Sequence, residues 1–288
     1  MTVEGHLDEE DPFDWAAIVR AHLEIIRQGE EDFYSLKPGD RTRLWTSIPS
    51  CRLPRPPVSP VPPGRSPFVD FTVMSQSVVL APDEVAADHP CSDLSLYAAD
   101  GGLLAYMLQD VRALVRLAMV GTRDVTEHEP IIWFVHGLKR QIVPCDLDRL
   151  ADGGDLQVVG FFGSRRLVSE GGPALGTDPI GALDSDLTAE FRNHPGIACY
   201  SSIEMVDGFW ANLVLHLVPS DAEVWRGSEV HRGAVMLSPT LYRDVRIHSG
   251  RLAGGVDSTS EVVLHATKYW DYGPVPDGQP TWTAVRAW

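Results

Sequence analysis

The dipeptide Asp207-Gly208, set between two apolar runs, constrains the fold of this chain more than any other feature. D-G matches a two-residue hairpin turn, which predicts strands over Ala198–Val206 and Phe209–Val218. Ser220 with Glu223 three residues on reads as a capping box, and it predicts a helix to about Leu237 that Ser238-Pro239 ends. Two further strand-like runs follow, Val245–Leu252 and Glu261–Trp270, with the Gly254-Gly255 connection between them. The order β-β-α-β-β suits a ferredoxin-like sandwich, one helical layer on one antiparallel sheet.

Upstream, apolar residues Trp15, Ile18, Val19, His22, Ile25 and Ile26 predict an amphipathic helix over residues 12–34. The proline-dense stretch from Pro49 to Pro67 excludes helix and sheet interior and reads as an extended arm or linker. Val69–Leu80 is strand-like, Gly102–Val120 helical, and Ile131–Val143 and Leu156–Gly163 strand-like, before a glycine-rich loop from Gly171 to Gly181. The expected organisation is an N-terminal helix and arm (1–65), a first ferredoxin-like half (66–170) and a second half (171–288). The expected class is α+β, two ferredoxin-like units whose sheets close on each other in a dimeric α/β-barrel-type fold. Any homodimer is then built on the outside of that barrel.

A formal charge of −16 argues against nucleic acid or an anionic membrane as partner, since phosphates repel it. Part of that charge lies in the run Glu4, Asp8, Glu9, Glu10, Asp11 and Asp14, read as a solvated tail. No apolar stretch has bilayer-spanning length and no leader opens the chain, so the expected location is cytoplasmic. Cys51, Cys91, Cys145 and Cys199 form no C-x-x-C pair, which points away from a zinc knuckle or a disulfide framework.

The histidines carry the chemistry. On a single helix from Ser220, His231 shares a face with Val224, Gly227, Ser228, Ala234 and Val235, and such small neighbours leave room for a flat macrocycle beside an imidazole ligand. The structural alternative is a core histidine bonded to a carbonyl. His265 lies mid-strand and shares a face with Val263, Thr267 and Tyr269 by alternation. His216 and His248 are equally eligible as ligands by periodicity.

Three segments carry a family resemblance: Gly196-Ile197-Ala198-Cys199-Tyr200-Ser201, the run Trp225-Arg226-Gly227-Ser228-Glu229-Val230-His231, and the strand around Leu264-His265. In these the second half resembles the haem-containing aldoxime dehydratases, among the dimeric α/β-barrel haem proteins. The resemblance implies haem b with His231 as iron ligand, Gly227 and Ser228 beside the cofactor, and His265 as the distal acid–base group. The run Gly160-Phe161-Phe162-Gly163-Ser164-Arg165-Arg166 resembles a family segment near a catalytic arginine, giving Arg166 or Arg165; the candidate hydroxyl is Ser201.

The expected function is a haem enzyme acting on a small nitrogen-containing substrate, a nitrile-forming lyase cleaving an N–O bond. An alternative is a haem-dependent monooxygenase that N-hydroxylates an amino acid or a guanidino group such as that of arginine, in antibiotic biosynthesis. A third reading, of another class, is a cofactor-free ligand-binding barrel.

Overall fold

Strand β4 (Leu156–Arg165) runs through the middle of the sheet, and its neighbours decide the topology. The computed structural model describes residues 77–121, 124–173, 179–205, 210–274 and 279–288. In chain order these form β1 (Val78–Leu80), α1 (Leu94–Met119), β2 (Ile131–Val135), β3 (Leu138–Pro144), the short α2 (Leu147–Ala151) and β4. Then come α3 (Pro179–Glu190), β5 (Ile197–Glu204), β6 (Trp210–His216), α4 (Pro219–Arg226), α5 (Glu229–Leu241), β7 (Tyr242–Leu252), β8 (Val262–Asp271) and β9 (Trp282–Ala287). The fold is mixed α/β, on one nine-stranded sheet ordered β1-β9-β8-β7-β4-β6-β5-β3-β2. Every pairing is antiparallel except β1 with β9.

One face of the sheet is covered by α1. Asp93 caps that helix by accepting from the Ser95 N–H at 2.7 Å. Leu96, Leu103, Leu104, Met107, Leu108, Val111, Leu114 and Val115 recur at helical spacing and are buried. From Leu103 to Val115 they meet Val158 and Phe162 of β4, Ile203 of β5 and Leu213 and Leu215 of β6 in one apolar cluster. Each such side chain contributes roughly 1.5–3 kcal/mol by leaving water. Gly160 lets α1 approach closely, since a Cβ there would stand 2.8 Å from Leu104 Cδ2. The opposite face carries α3, α4 and α5 over two smaller clusters, one around Phe191, Tyr200 and Trp225 and one around Trp210, Leu241 and Tyr242.

Several expectations change. The two hairpins of the second half do not adjoin, because β4 lies between β6 and β7 and pairs with both. The sheet does not close into a barrel among the described residues: it ends at β1 and β2, and α1, not a second sheet, covers its face. Ile131–Val143 is two strands, turned by His136 (φ 51°) and Gly137 (φ 80°). The helix from Ser220 is two helices. Asp221, not Ser220, caps the first by accepting from the Val218 N–H at 2.9 Å, and Ser228 (φ −60°, ψ 140°) leaves helical geometry and starts the second. Pro239 does not end α5, which runs on to Leu241. Helix α3 and strand β9 had no counterpart in the sequence reading. The helix over 12–34, the proline-rich arm, residues 69–76 of the first strand and the Asp207-Gly208 turn lie outside the described residues.

Candidate functional site

On the α3 face, cross-strand register sets polar residues side by side where an apolar core would be expected. Gln141 of β3 stands opposite Ser202 of β5, and Ser202 opposite Asn212 of β6. Lys139 and Tyr200 lie on the same face, two residues from Gln141 and from Ser202 along their strands. Helix α3 lowers Asp184 onto this row. Its carboxylate accepts from the Tyr200 hydroxyl in a short bond, accepts from Gln141 Nε2 at 3.3 Å, and lies 3.6 Å from Lys139 Nζ. The ammonium also stands over the Trp210 ring, 5.5 Å from its centroid.

Burial pushes the Asp184 carboxyl up, against the opposing effects of Tyr200, Lys139 and Gln141. Tyr200 is pushed well up, by burial first and then by the Asp184 charge. Ser202 is fully buried, and neither its Oγ nor Asn212 Oδ1 has a hydrogen-bond partner. The Ser202 hydroxyl favours the Tyr200 phenolate slightly, from outside bonding geometry. Unpaired buried oxygens are uncommon because each costs about 1–3 kcal/mol. The arrangement can release a proton from Asp184 and hold the resulting carboxylate with three donors, beside two oxygens left for a bound molecule. It can equally bind without chemistry.

A second polar cluster lies on the α1 face. Asp100 of α1 accepts from Arg246 Nε at 2.7 Å and Nη2 at 3.0 Å, and from His248 Nε2 at 2.8 Å. Asp244 accepts from Arg246 Nη1 at 3.3 Å and from Ser164 Oγ at 2.7 Å. The Arg246 guanidinium holds the Asp100 carboxyl below the usual range against the effect of burial. These groups satisfy one another, which is the signature of a clamp between helix and sheet.

The residues singled out from sequence fall in separate places. His231 is in the first turn of α5, its N–H bonded to Ser228 Oγ at 3.4 Å. The break at Gly227-Ser228 removes the single-helix phase that set Gly227, Ser228 and Val224 beside its ring. The Trp225 ring packs there instead, 5.3 Å between centroids. Burial lowers the His231 pKa against the opposing effect of the Arg226 backbone, and its Nδ1 has no hydrogen-bond partner, so the ring is held toward the neutral form that a metal ligand needs. His194 and His216 are its companions: both contribute to or feel the same local field, and Trp225 lies 4.9 Å from the His194 ring.

His265 is not with them. It is the extra residue of a β-bulge in β8, exposed, where the register slips between Ser249 and Gly250. Arg166 is buried and donates to the carbonyls of Pro239, Gly273 and Tyr242 at 2.9, 2.8 and 3.2 Å. Ser201 is buried in β5, one residue out of phase with Tyr200 and Ser202 and so on the α1 face. Gly227 caps α4 and Ser228 caps α5. The ligand chemistry of His231 suits a haem iron, but the acid–base histidine, the arginine and the serine of the resemblance are not gathered around it. His248 sits in the clamp, with Thr267 on its other nitrogen at 2.8 Å.

Asp184, Tyr200, Gln141 and Asn212 were not singled out from sequence. Only the polar residues interrupting β3, β5 and β6 at alternate positions could have pointed to them. No protein-family model matches the chain, and no curated protein or solved structure is significantly similar to it.

Proposed function

We propose that the protein is an enzyme acting on a small polar molecule at the Asp184 site, with Asp184 as general acid. Supporting this is one observation above all: two buried oxygens without partners, Ser202 Oγ and Asn212 Oδ1, lie in the strand row onto which α3 lowers Asp184, whose carboxyl burial pushes up in pKa. Asn212 Oδ1 asks for a donor, so the substrate carries a hydroxyl or an amide N–H. Asp184 passes its proton to a substrate heteroatom and becomes a carboxylate, which the Tyr200 O–H, the Gln141 amide and the Lys139 ammonium then stabilise. The segment β4-α3-β5-β6-α4/α5-β7, with strand order β7-β4-β6-β5, supports a ferredoxin-like unit as the scaffold.

Ligand-observed NMR with a panel of small amides, polyols and hydroxy acids tests the reading. One class should bind the wild type, bind much less to Asn212→Leu, and bind to Asp184→Asn without turnover. No binding across the panel, or binding indifferent to both substitutions, would sink it.

A second reading is favoured by the shielded, partnerless Nδ1 of half-buried His231. In it His231 ligates the iron of haem b, and the reaction is lyase chemistry of the aldoxime dehydratase kind or N-hydroxylation of an amino acid or guanidino group. Haem would supply the redox-active iron. Absorption spectra after haem b addition decide it: a Soret band that His231→Ala abolishes and His216→Ala leaves unchanged.

A further inference from the structure

Strand β2 is an edge of the sheet among the described residues, and it carries none of the usual protection. Its sequence, Ile131-Ile132-Trp133-Phe134-Val135, has no charge and no proline, and it pairs with β3 without a bulge. Ile132 is 47% exposed and Phe134 66%, and both point to the α3 face.

The hairpin turn fixes which backbone groups are free. His136 and Gly137 both have positive φ, as in a type I′ turn, so Val135 and Leu138 close the hairpin as a hydrogen-bonded pair. Pairs then alternate, and Ile132 and Phe134 fall at the non-bonded positions opposite Gln141 and Lys139. Their N–H and C=O groups therefore point outward, away from β3.

We propose that β2 pairs antiparallel with β2 of a second copy, about a two-fold axis through Trp133. In that register Ile132 of one protomer stands opposite Phe134 of the partner subunit, and each pair exchanges the free N–H and C=O groups. The strand is its own complement: apolar side chain meets apolar side chain at every position from Ile131 to Val135. The same register brings exposed Glu129 opposite the partner's Gly137 at both ends of the seam, so no like charges face each other there. A charge of −16 per chain opposes association at long range, so the dimer tightens as salt screens that repulsion. A basic peptide added to the same edge would loosen with salt. The seam borders the Asp184 site, because Ile132 and Phe134 are the cross-strand neighbours of Gln141 and Lys139, but it does not depend on that reading.

Sedimentation equilibrium on the full chain, at low and high salt, tests the seam with Ile132→Glu, Phe134→Lys and the double variant. Each single substitution should weaken the dimer by about tenfold or more, roughly 1.4 kcal/mol. The double variant sets Glu opposite Lys across the axis and should recover much of that loss. Both positions are exposed, so the fold survives the changes, as circular dichroism checks. In parallel, hydrogen exchange at the Ile132 and Phe134 amides should slow as protein concentration rises. A wild type that stays monomeric, single variants that dimerise as the wild type does, or amide protection independent of concentration would overturn the proposal. The last outcome would mean that a segment of the same chain occupies the edge.

Discussion

His248 Nε2 lies 2.8 Å from Asp100 Oδ2, with both side chains shut off from solvent and Arg246 bidentate on the same carboxylate. The Thr267 hydroxyl receives the Trp288 indole N–H at 2.8 Å and meets His248 Nδ1 at 2.8 Å, which completes the chain of bonds. Asp100→Ala would leave the Arg246 cation buried without its bidentate carboxylate. The expected loss is about 3–5 kcal/mol in urea denaturation, because removing one partner of a buried pair strands the other charge. Arg232→Ala, which breaks the exposed pair with Glu229, should barely move the midpoint. Equal effects from the two would show that Asp100 is no clamp.

Acid should loosen the α4 side of the sheet first. Burial, then Arg226, His194 and His231, push the His216 pKa down to about 4. Its folded value lies below its unfolded value, so the unfolded state takes the proton first as pH falls. The contribution of His216 to stability is complete above roughly pH 6.5 and is lost progressively as pH drops toward about 4. His231 shifts in the same direction and adds to the slope. Glu190 lies 3.4 Å from His194 at the edge of the cluster. His216→Leu should flatten the fall of stability with acid; an unchanged slope would assign the proton uptake elsewhere.

Gly163 permits a contact no other residue would. A Cβ there would stand 2.5 Å from the Tyr242 ring, which is buried and held edge-on against Phe161 at 5.4 Å. Gly163→Ala should cost about 1–3 kcal/mol through overpacking. Tyr242→Leu in the same chain should recover part of it, giving a coupling that a double-mutant cycle reads directly. Additive losses would contradict the contact.

Local chemistry made the strands legible and hid how they assemble. The runs Leu156–Gly163, Val245–Leu252 and Glu261–Trp270 fall almost on β4, β7 and β8, since apolar strand patterning survives whatever the neighbours are. Pairing order is set by long-range contacts, and nothing in a strand's own pattern says that β4 enters between β6 and β7. The turn at His136-Gly137 was hidden because the usual two-residue hairpin signals are Asn-Gly, Asp-Gly and Gly-Gly, and His-Gly is not among them. The break before His231 was hidden because Gly227 and Ser228 are tolerable inside a helix, so Ser228 declares itself as a cap only once α4 has ended. Asp184 went unread for a related reason: an aspartate in a helix near a glycine-rich stretch looks solvated until β3 and β5 are brought under it. His231 lies half-buried with its Nδ1 unbonded, beside the Trp225 ring rather than beside the small residues that a single helix would have set there.

Arg166 offers the sharpest separation of a structural from a catalytic role. Its guanidinium is buried, and its Nε, Nη1 and Nη2 reach the carbonyls of Pro239, Gly273 and Tyr242, tying the end of β4 to the α5–β7 junction and to the segment after β8. A planar fork can serve three carbonyls at once, whereas a lysine ammonium at the end of a flexible stem cannot match those directions. Each charged hydrogen bond lost inside the protein removes about 1.5–3 kcal/mol. Arg166→Lys should therefore lower the urea midpoint by an amount equivalent to roughly 2–4 kcal/mol and raise hydrogen exchange at the end of β4, with or without ligand. A residue used only in catalysis would do the reverse: the lysine variant would keep wild-type stability and exchange while losing turnover, and that result would return Arg166 to the active centre.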